Sequence, residues 1–249
     1  MKHALFLAAS LLATLPAVAA DHTASSAPHW GYEGEGAPAH WGTLSQDFSL
    51  CEYGKNQSPI DIHDALKAHP RPLKVSYPKA PESMVNNGHT LQISVPEGNK
   101  VTLDGEAFRL QQFHFHAPSE NTLNGESFPM EMHLVHKDAD GEMAVVAVMF
   151  KLGKANPVLE ALWQQMPQQV DQPVALTKAL DLNGLLPHSL THYRFSGSLT
   201  TPPCSEGVRW LVLKQPQTLS EAQLEKFKQL MHHNNNRPVQ PLHGRVVVE

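Results

Sequence analysis

A polar–aromatic alternation within Gln111 to His116 (Gln-Gln-Phe-His-Phe-His), strict from Gln112 onward, constrains this chain more than any other feature. On a β-strand, residues i, i+2 and i+4 share one face. Gln112, His114 and His116 therefore stand together, and Phe113 and Phe115 turn to apolar packing on the other side. The stretches Thr90–Val95 and Met130–His136 alternate in the same way, as half-buried strands do. Met143 to Leu152 is instead an apolar run broken only by Lys151, the pattern of a strand buried on both faces, and Val208 to Leu213, broken only by Arg209, reads likewise. Twenty prolines and fifteen glycines call for many turns and short elements. Two helices are expected. One starts at Asn156-Pro157, an N-cap followed by an N1 proline, with Val158, Leu159, Leu162, Trp163 and Met166 at helical spacing. The other starts at the capping box Ser220-Glu221-Ala222-Gln223 and carries Leu224, Phe227, Leu230 and Met231 on one face. The expected fold is a β-dominated α+β single domain with a large, mostly antiparallel twisted central sheet and a few short surface helices.

The two imidazoles on one face of one strand can reach a single metal ion, and a third ligand must come from a neighbouring strand. Glu131-Met132-His133-Leu134-Val135 offers it, with Glu131, His133 and Val135 on one face. Metal-bound imidazole needs a partner for its second ring nitrogen. Gln112 precedes His114 by two residues and Glu131 precedes His133 by two, each on its ligand's own face. Three histidines leave a fourth position open, which marks a catalytic zinc site and not a closed structural one. The bland alternative is a solvent-facing polar cluster. Most of the sixteen histidines have such explanations: His22, His29, His69, His188, His232 and His233 lie in polar or proline-rich surroundings and read as solvated.

Lys2, the uncharged apolar run Ala4–Leu15 and the small residues Ala17-Val18-Ala19-Ala20 read as a secretory signal peptide over 1–20, with the domain over 21–249. No later stretch has the roughly 20 apolar residues a membrane helix needs, so no membrane insertion is expected. A net charge of −5 gives no basic footprint for nucleic acid. For an exported chain, the even pair Cys51 and Cys204 favours one disulfide over two buried thiols. The stretch from Asp21 to about Ala39, rich in His, Gly, Ala and Pro, reads as a mobile lead-in followed by a docked arm bearing Trp30, Tyr32 and Trp41.

Taken in order, several motifs resemble the α-class carbonic anhydrases, secreted bacterial type. They include His29-Trp30-Gly31-Tyr32, Gln57-Ser58-Pro59-Ile60-Asp61-Ile62, Asn86-Asn87-Gly88-His89, the two histidine strands, Gly197-Ser198-Leu199-Thr200-Thr201-Pro202-Pro203-Cys204 and Asn236-Arg237-Pro238. The resemblance spans nearly everything from His29 to Arg245. It implies a lyase, carbonate dehydratase, that reversibly hydrates carbon dioxide to bicarbonate and a proton by attack of zinc-bound hydroxide. One zinc ion per chain is implied on His114, His116 and His133, in the family that serves as the type example of such water activation.

The resemblance also assigns roles that the residues alone do not. His89 becomes the proton shuttle, a task suited to an imidazole titrating near neutrality. Thr200 and Glu120 become the hydrogen-bond gate that orients the hydroxide, and Thr201 lines the bicarbonate site. Val135, Val145, Leu199, Val208 and Trp210 become the CO2 pocket. Tyr32, Asn87 and Gln92 hold the water network, Cys51 and Cys204 pair, and Ser58-Pro59 and Pro202-Pro203 are cis. Sulfonamide and anion inhibitors, export (to the periplasm if the source has two membranes) and a homodimer are further implications, although no interface is legible. Ala117-Pro118 and Asn121 depart from the animal members' tryptophan-glycine and histidine, and put cleft width and inhibitor fit in doubt. Competing readings are a silent relative lacking zinc ligands and a zinc store with several sites. The complete His114–His116–His133 set and the lack of a second supported set argue against them.

Overall fold

The computed structural model describes residues 29–68 and 70–249. The expected signal peptide, His22 and His69 lie outside the described residues. The strands are β1 (Asp61–Ile62), β2 (Lys74–Ser76), β3 (Ser83–Asn86), β4 (Leu91–Ser94), β5 (Lys100–Leu103), β6 (Glu106–His116) and β7 (Thr122–Leu123). They continue with β8 (Met130–Lys137), β9 (Met143–Leu152), β10 (Val174–Ala175), β11 (His192–Ser198), β12 (Glu206–Leu213) and β13 (Gln217–Leu219). Four α-helices, α1 (Trp41–Leu44), α2 (Leu50–Tyr53), α3 (Pro157–Trp163) and α4 (Glu221–Met231), and four short 3₁₀ turns complete the description.

Eleven strands form one sheet with the main order β10-β3-β4-β6-β8-β9-β12-β11. All its pairings are antiparallel except β9 with β12 and β9 with β13. The expected mostly antiparallel sheet is what is observed. A register irregularity between Leu110 and Gln112 divides β6, and beyond it His114 lies opposite His133 on β8 and His116 opposite Glu131.

Strand alternation sorts two cores onto the two faces. Phe113, Phe115, Met132, Leu134, Val146 and Val148 join a large core sealed by Leu159, Leu162 and Trp163 of α3 and by Leu224 and Phe227 of α4. The opposite face of β9 sends Val145, Ala147 and Met149 into a smaller core with Val208 and Trp210. Occupying both cores explains the uninterrupted apolar run of β9 from Met143 to Phe150, while Lys151 and Leu152 at its end are exposed. Asn156 caps α3 by accepting from Val158 and Leu159 N–H, and Ser220 and Gln223 form the anticipated capping box of α4. The α3 helix stops at Trp163, before Met166, which is nevertheless buried. The Trp41 indole donates to the Gly31 and Gly36 carbonyls, 2.9 Å each, and packs edge-on against Trp30 and Tyr32, which docks the N-terminal arm. No helix among the described residues is long and apolar enough to cross a membrane.

His136 is wholly buried and lies 2.7 Å through Nε2 from the Tyr77 hydroxyl, with Nδ1 facing the Ala144 carbonyl at 3.3 Å. Burial lowers its pKa to about 4, against about 6.5 for a free imidazole. The folded state thus resists a proton that the unfolded chain accepts. The stability this group contributes is complete above pH 6.5, falls as the pH drops from 6.5 to 4, and is flat below. The full loss is about 3 kcal/mol. Denaturant unfolding of His136→Gln, which can keep an acceptor for Tyr77, should show a shallower stability decline between pH 6.5 and 4 than the unsubstituted chain. Parallel profiles would remove His136 from the acid response.

Candidate metal centre and cavity

Strand register delivers three imidazoles to one point. His114 and His133 face each other across β6 and β8, and His116 lies one pleat further along. One ring nitrogen from each lies within 4.8 Å of the others. The remaining nitrogens are engaged. His114 Nδ1–H donates to Gln112 Oε1 at 2.8 Å, His133 Nε2–H to Glu131 Oε1 at 2.9 Å, and His116 Nδ1–H to the Asn235 carbonyl at 2.7 Å. Those bonds leave His114 Nε2, His116 Nε2 and His133 Nδ1 as lone-pair donors. Burial is the largest effect lowering the pKa of all three histidines, so they are neutral at pH 7, as ligands must be. His116 Nε2 and Glu120 Oε2 are buried without hydrogen-bond partners. A buried nitrogen left unpaired among two other imidazole nitrogens fits a metal ion.

Gln112 and Glu131 stand where strand alternation put them. The Asn235 carbonyl was missed, because any residue carries that group and no side-chain pattern announces it. Asn235 does more: its side chain accepts from Ala117 N–H and donates to the Phe115 and His89 carbonyls. Glu131 accepts from Glu120 N–H, Asn121 N–H, Asn121 Nδ2 and His133, and burial raises its pKa against the lowering pull of the Asn121 and Glu120 donors.

Glu120 is buried, whereas its loop sequence alone reads as surface. Oε1 accepts from Arg237 N–H at 2.8 Å and lies 3.6 Å from His116 Nδ1, and Oε2 lies 3.8 Å from His133 Nδ1. Burial raises its pKa to about 8, opposed by the Arg237 N–H, the Thr200 hydroxyl and the Arg237 charge. Thr200 is thus near enough to act on the carboxyl, while Glu120 Oε2 has no partner at full hydrogen-bond geometry. A dication on the histidines would favour the ionised carboxylate and its acceptance of the Thr200 proton.

Above the histidines a cavity of about 120 Å³ is lined by Tyr32, Asn87, His89, Gln92, Gln112 and Thr201, among others. The predicted water-network residues therefore share one wall with the three histidines. The Asn87 side chain accepts from His89 and Thr90 N–H and fixes the turn that presents His89. The His89 ring stacks on Trp30, centroids 3.7 Å apart and planes at 9°. Val145, Val208 and Trp210 belong to one buried cluster, with Val135 and Leu199 packed against it. Trp210 meets the His133 ring edge-on at 4.9 Å, so the apolar cluster abuts the histidine cluster. Cys51 and Cys204 form a disulfide, and Ser58–Pro59, Ala117–Pro118 and Pro202–Pro203 are cis. His29 and His233, read from sequence as merely solvated, line the outer mouth of the cleft with His89.

A family model for eukaryotic-type carbonic anhydrase matches residues 36–249. The chain is 56% identical over 226 residues to a carbonic anhydrase of Pectobacterium atrosepticum, covering 91% of this chain and 93% of that one. It is also 56% identical to a carbonic anhydrase of Klebsiella pneumoniae, covering 90% and 92% respectively. Among solved structures, the α-carbonic anhydrase of Thermovibrio ammonificans with the inhibitor sulfanilamide superposes with a TM-score of 0.88 at 51% identity, covering 90% of this chain and all of that one.

Proposed function

Since this chain belongs to the eukaryotic-type, or α, carbonic anhydrase family of enzymes, we propose that it reversibly hydrates carbon dioxide to bicarbonate and a proton, using one zinc ion held by His114, His116 and His133. The observation that carries this reading is the convergence of three neutral imidazoles whose other nitrogens are already engaged, with His116 Nε2 buried and unpaired. Zinc favours such a nitrogen set and, with three protein ligands, supplies a Lewis acid that ionises a water near neutral pH, for which carbonic anhydrase is the type example.

The chain's own residues then divide the work. Ionised Glu120 accepts the Thr200 hydroxyl proton, so the Thr200 oxygen is itself an acceptor and aims the attacking oxygen. This is orientation, not added acid–base chemistry. Val135, Val145, Leu199, Val208 and Trp210 hold CO2, which offers no hydrogen-bond donor, and exclude competing water. Thr201 contacts the bicarbonate formed. Tyr32, whose phenol burial keeps protonated, orders water with Asn87 and Gln92. That water leads to His89, which carries the proton toward solvent. Burial is the largest cause lowering the His89 pKa, followed by His29 and His233, so it starts neutral and able to accept. Export after cleavage of residues 1–20, to a periplasm where the source has one, and inhibition by sulfonamides and anions belong to the same reading.

Zinc analysis combined with stopped-flow CO2 hydration tests it. The expected result is one zinc per chain and hydration that disappears when the metal is stripped and returns on reloading. Equal rates in verified zinc-free protein would overturn the proposal. His89→Ala should reduce kcat about tenfold or more in dilute buffer, with kcat/KM kept and the loss recovered in concentrated buffer. An unchanged low-buffer rate would strip His89 of its role.

A further inference from the structure

A second cavity, of about 420 Å³, lies where the start of β11 and the residue after β12 meet the segment entering β2. It shares no lining residue with the cavity above the three histidines. Its volume is that of an ordinary small-molecule site. Pro70, Pro72, Leu73 and Leu190 give it apolar walls. The two prolines fix their own φ, so the wall that carries Arg71 between them is stiff before anything binds. Arg71 is exposed, and its guanidinium meets one carbonyl, that of Asp104, at 3.3 Å. The Asp104 carboxylate is taken by Arg194, so Arg71 has no carboxylate partner among the described residues. Lys214, the other cation of the lining, is already held by Glu249 Oε2 at 2.6 Å.

His192, the first residue of β11, completes the lining and is buried. Its Nδ1–H donates to the Leu190 carbonyl at 2.9 Å, which leaves Nε2 with a bare lone pair. That nitrogen is buried without a hydrogen-bond partner. Burial is the largest effect on the ring's pKa and lowers it. Arg194 and Lys214 lower it too, against the Leu190 carbonyl and Asp104, so the imidazole is neutral at pH 7. A buried acceptor left unpaired costs stability until a donor reaches it. Bulk water does not reach Nε2, and the cavity is the space from which a donor can approach.

We propose that this cavity is a second ligand site, which takes a small phenolic acid. Its ring lies between the proline and leucine walls, its carboxylate pairs with Arg71, and its hydroxyl donates to His192 Nε2. Each part of the ligand answers one feature of the site. An ionised carboxylate cannot donate, so a simple acid leaves His192 unpaired. An uncharged phenol leaves Arg71 unpaired. The site uses no metal and does not depend on the hydration reading.

The test is a ligand-observed NMR titration of the zinc-loaded protein with 3-(4-hydroxyphenyl)propionate, with sulfanilamide in excess to occupy the three-histidine centre. The probes 3-phenylpropionate, which lacks the hydroxyl, and 4-propylphenol, which lacks the carboxylate, are titrated beside it. The expected result is saturable binding of the phenolic acid with a Kd of about 1 mM. Arg71→Gln should weaken it about threefold and leave 4-propylphenol unchanged. His192→Phe should weaken it about fivefold and leave 3-phenylpropionate unchanged. Thermal unfolding checks that both variants fold. Arg71 is exposed, so if His192→Phe fails to fold, the Arg71→Gln comparison decides alone. Non-saturable binding would overturn the proposal. So would an affinity for the phenolic acid that either folded variant leaves unchanged, or an equal loss for all three probes, which marks a structural role.

Discussion

His114→Ala is expected to abolish stoichiometric zinc binding and reduce CO2 hydration to the uncatalysed background while the protein stays folded. The reason for both halves is where His114 sits. Its Nε2 is one of three converging lone pairs, and two imidazoles cannot close a coordination sphere that needs three protein ligands. Its side chain borders the cavity and is only partly buried, unlike His116 and His133. Truncation therefore enlarges the cleft without exposing the Phe113–Phe115 core on the opposite face. The one polar group it strands, Gln112 Oε1, faces the same cavity and can take water. Metal content after dialysis, stopped-flow hydration and thermal unfolding should be measured together. Gln112→Ala provides the graded control. It removes only the partner of His114 Nδ1–H, and should weaken zinc affinity about 10- to 100-fold without removing the site. A His114→Ala protein that retains one zinc and measurable turnover would refute the assigned ligand set.

The extent to which this site was legible follows from the range of its interactions. His114, His116, Gln112, His133 and Glu131 could be read because strand alternation is local: two-residue spacing puts ligand and supporting partner on one face. The pairing of β6 with β8, which makes His114 and His133 opposite neighbours, is not local. It depends on an irregularity between Leu110 and Gln112 that no composition signal marks. The large antiparallel sheet was legible from the same periodicity, and the apolar run of β9 correctly implied cover on both faces. Glu120 was invisible to pattern. It lies in an irregular loop, and its burial comes from Glu131 accepting its N–H and from Arg237, distant in sequence, capping its carboxylate. Motif resemblance pointed to Glu120, Thr200 and His89 where residue-level reading did not. Neither approach found the Asn235 carbonyl or the His233 rim, because both depend on where the segment after α4 folds back.

Replacing the disulfide by Cys51→Ser/Cys204→Ser should produce the largest stability loss of any change outside the hydrophobic cores. The bridge joins residues 153 apart, and the chain-entropy account assigns such a loop up to about 5 kcal/mol. For a domain of this size that corresponds to a fall in Tm of about 10–20 °C. The bridge also braces the catalytic side of the molecule. Cys204 N–H donates to the Thr201 carbonyl at 2.9 Å, and the Cys204 carbonyl accepts from Gln57 Nε2 at 3.0 Å. The Cys51 carbonyl accepts from Arg237 Nη2 at 2.8 Å. The buried Arg237 guanidinium in turn holds Gln57 and the Ser58 carbonyl, and its backbone N–H holds Glu120. Arg237 thus has anchors independent of the sulfur atoms, and the three converging histidines lie on sheet strands that the bridge does not touch. Stability and activity should therefore separate. Well below its lowered Tm the variant should keep stoichiometric zinc and most of its kcat/KM, while its inactivation temperature falls with Tm. A Tm change under about 3 °C would show that the bridge constrains the unfolded chain far less than its loop length requires. Loss of kcat/KM at temperatures where the variant is fully folded would instead show that the sulfur link, and not the Arg237 network, holds Thr200 and Thr201 in place.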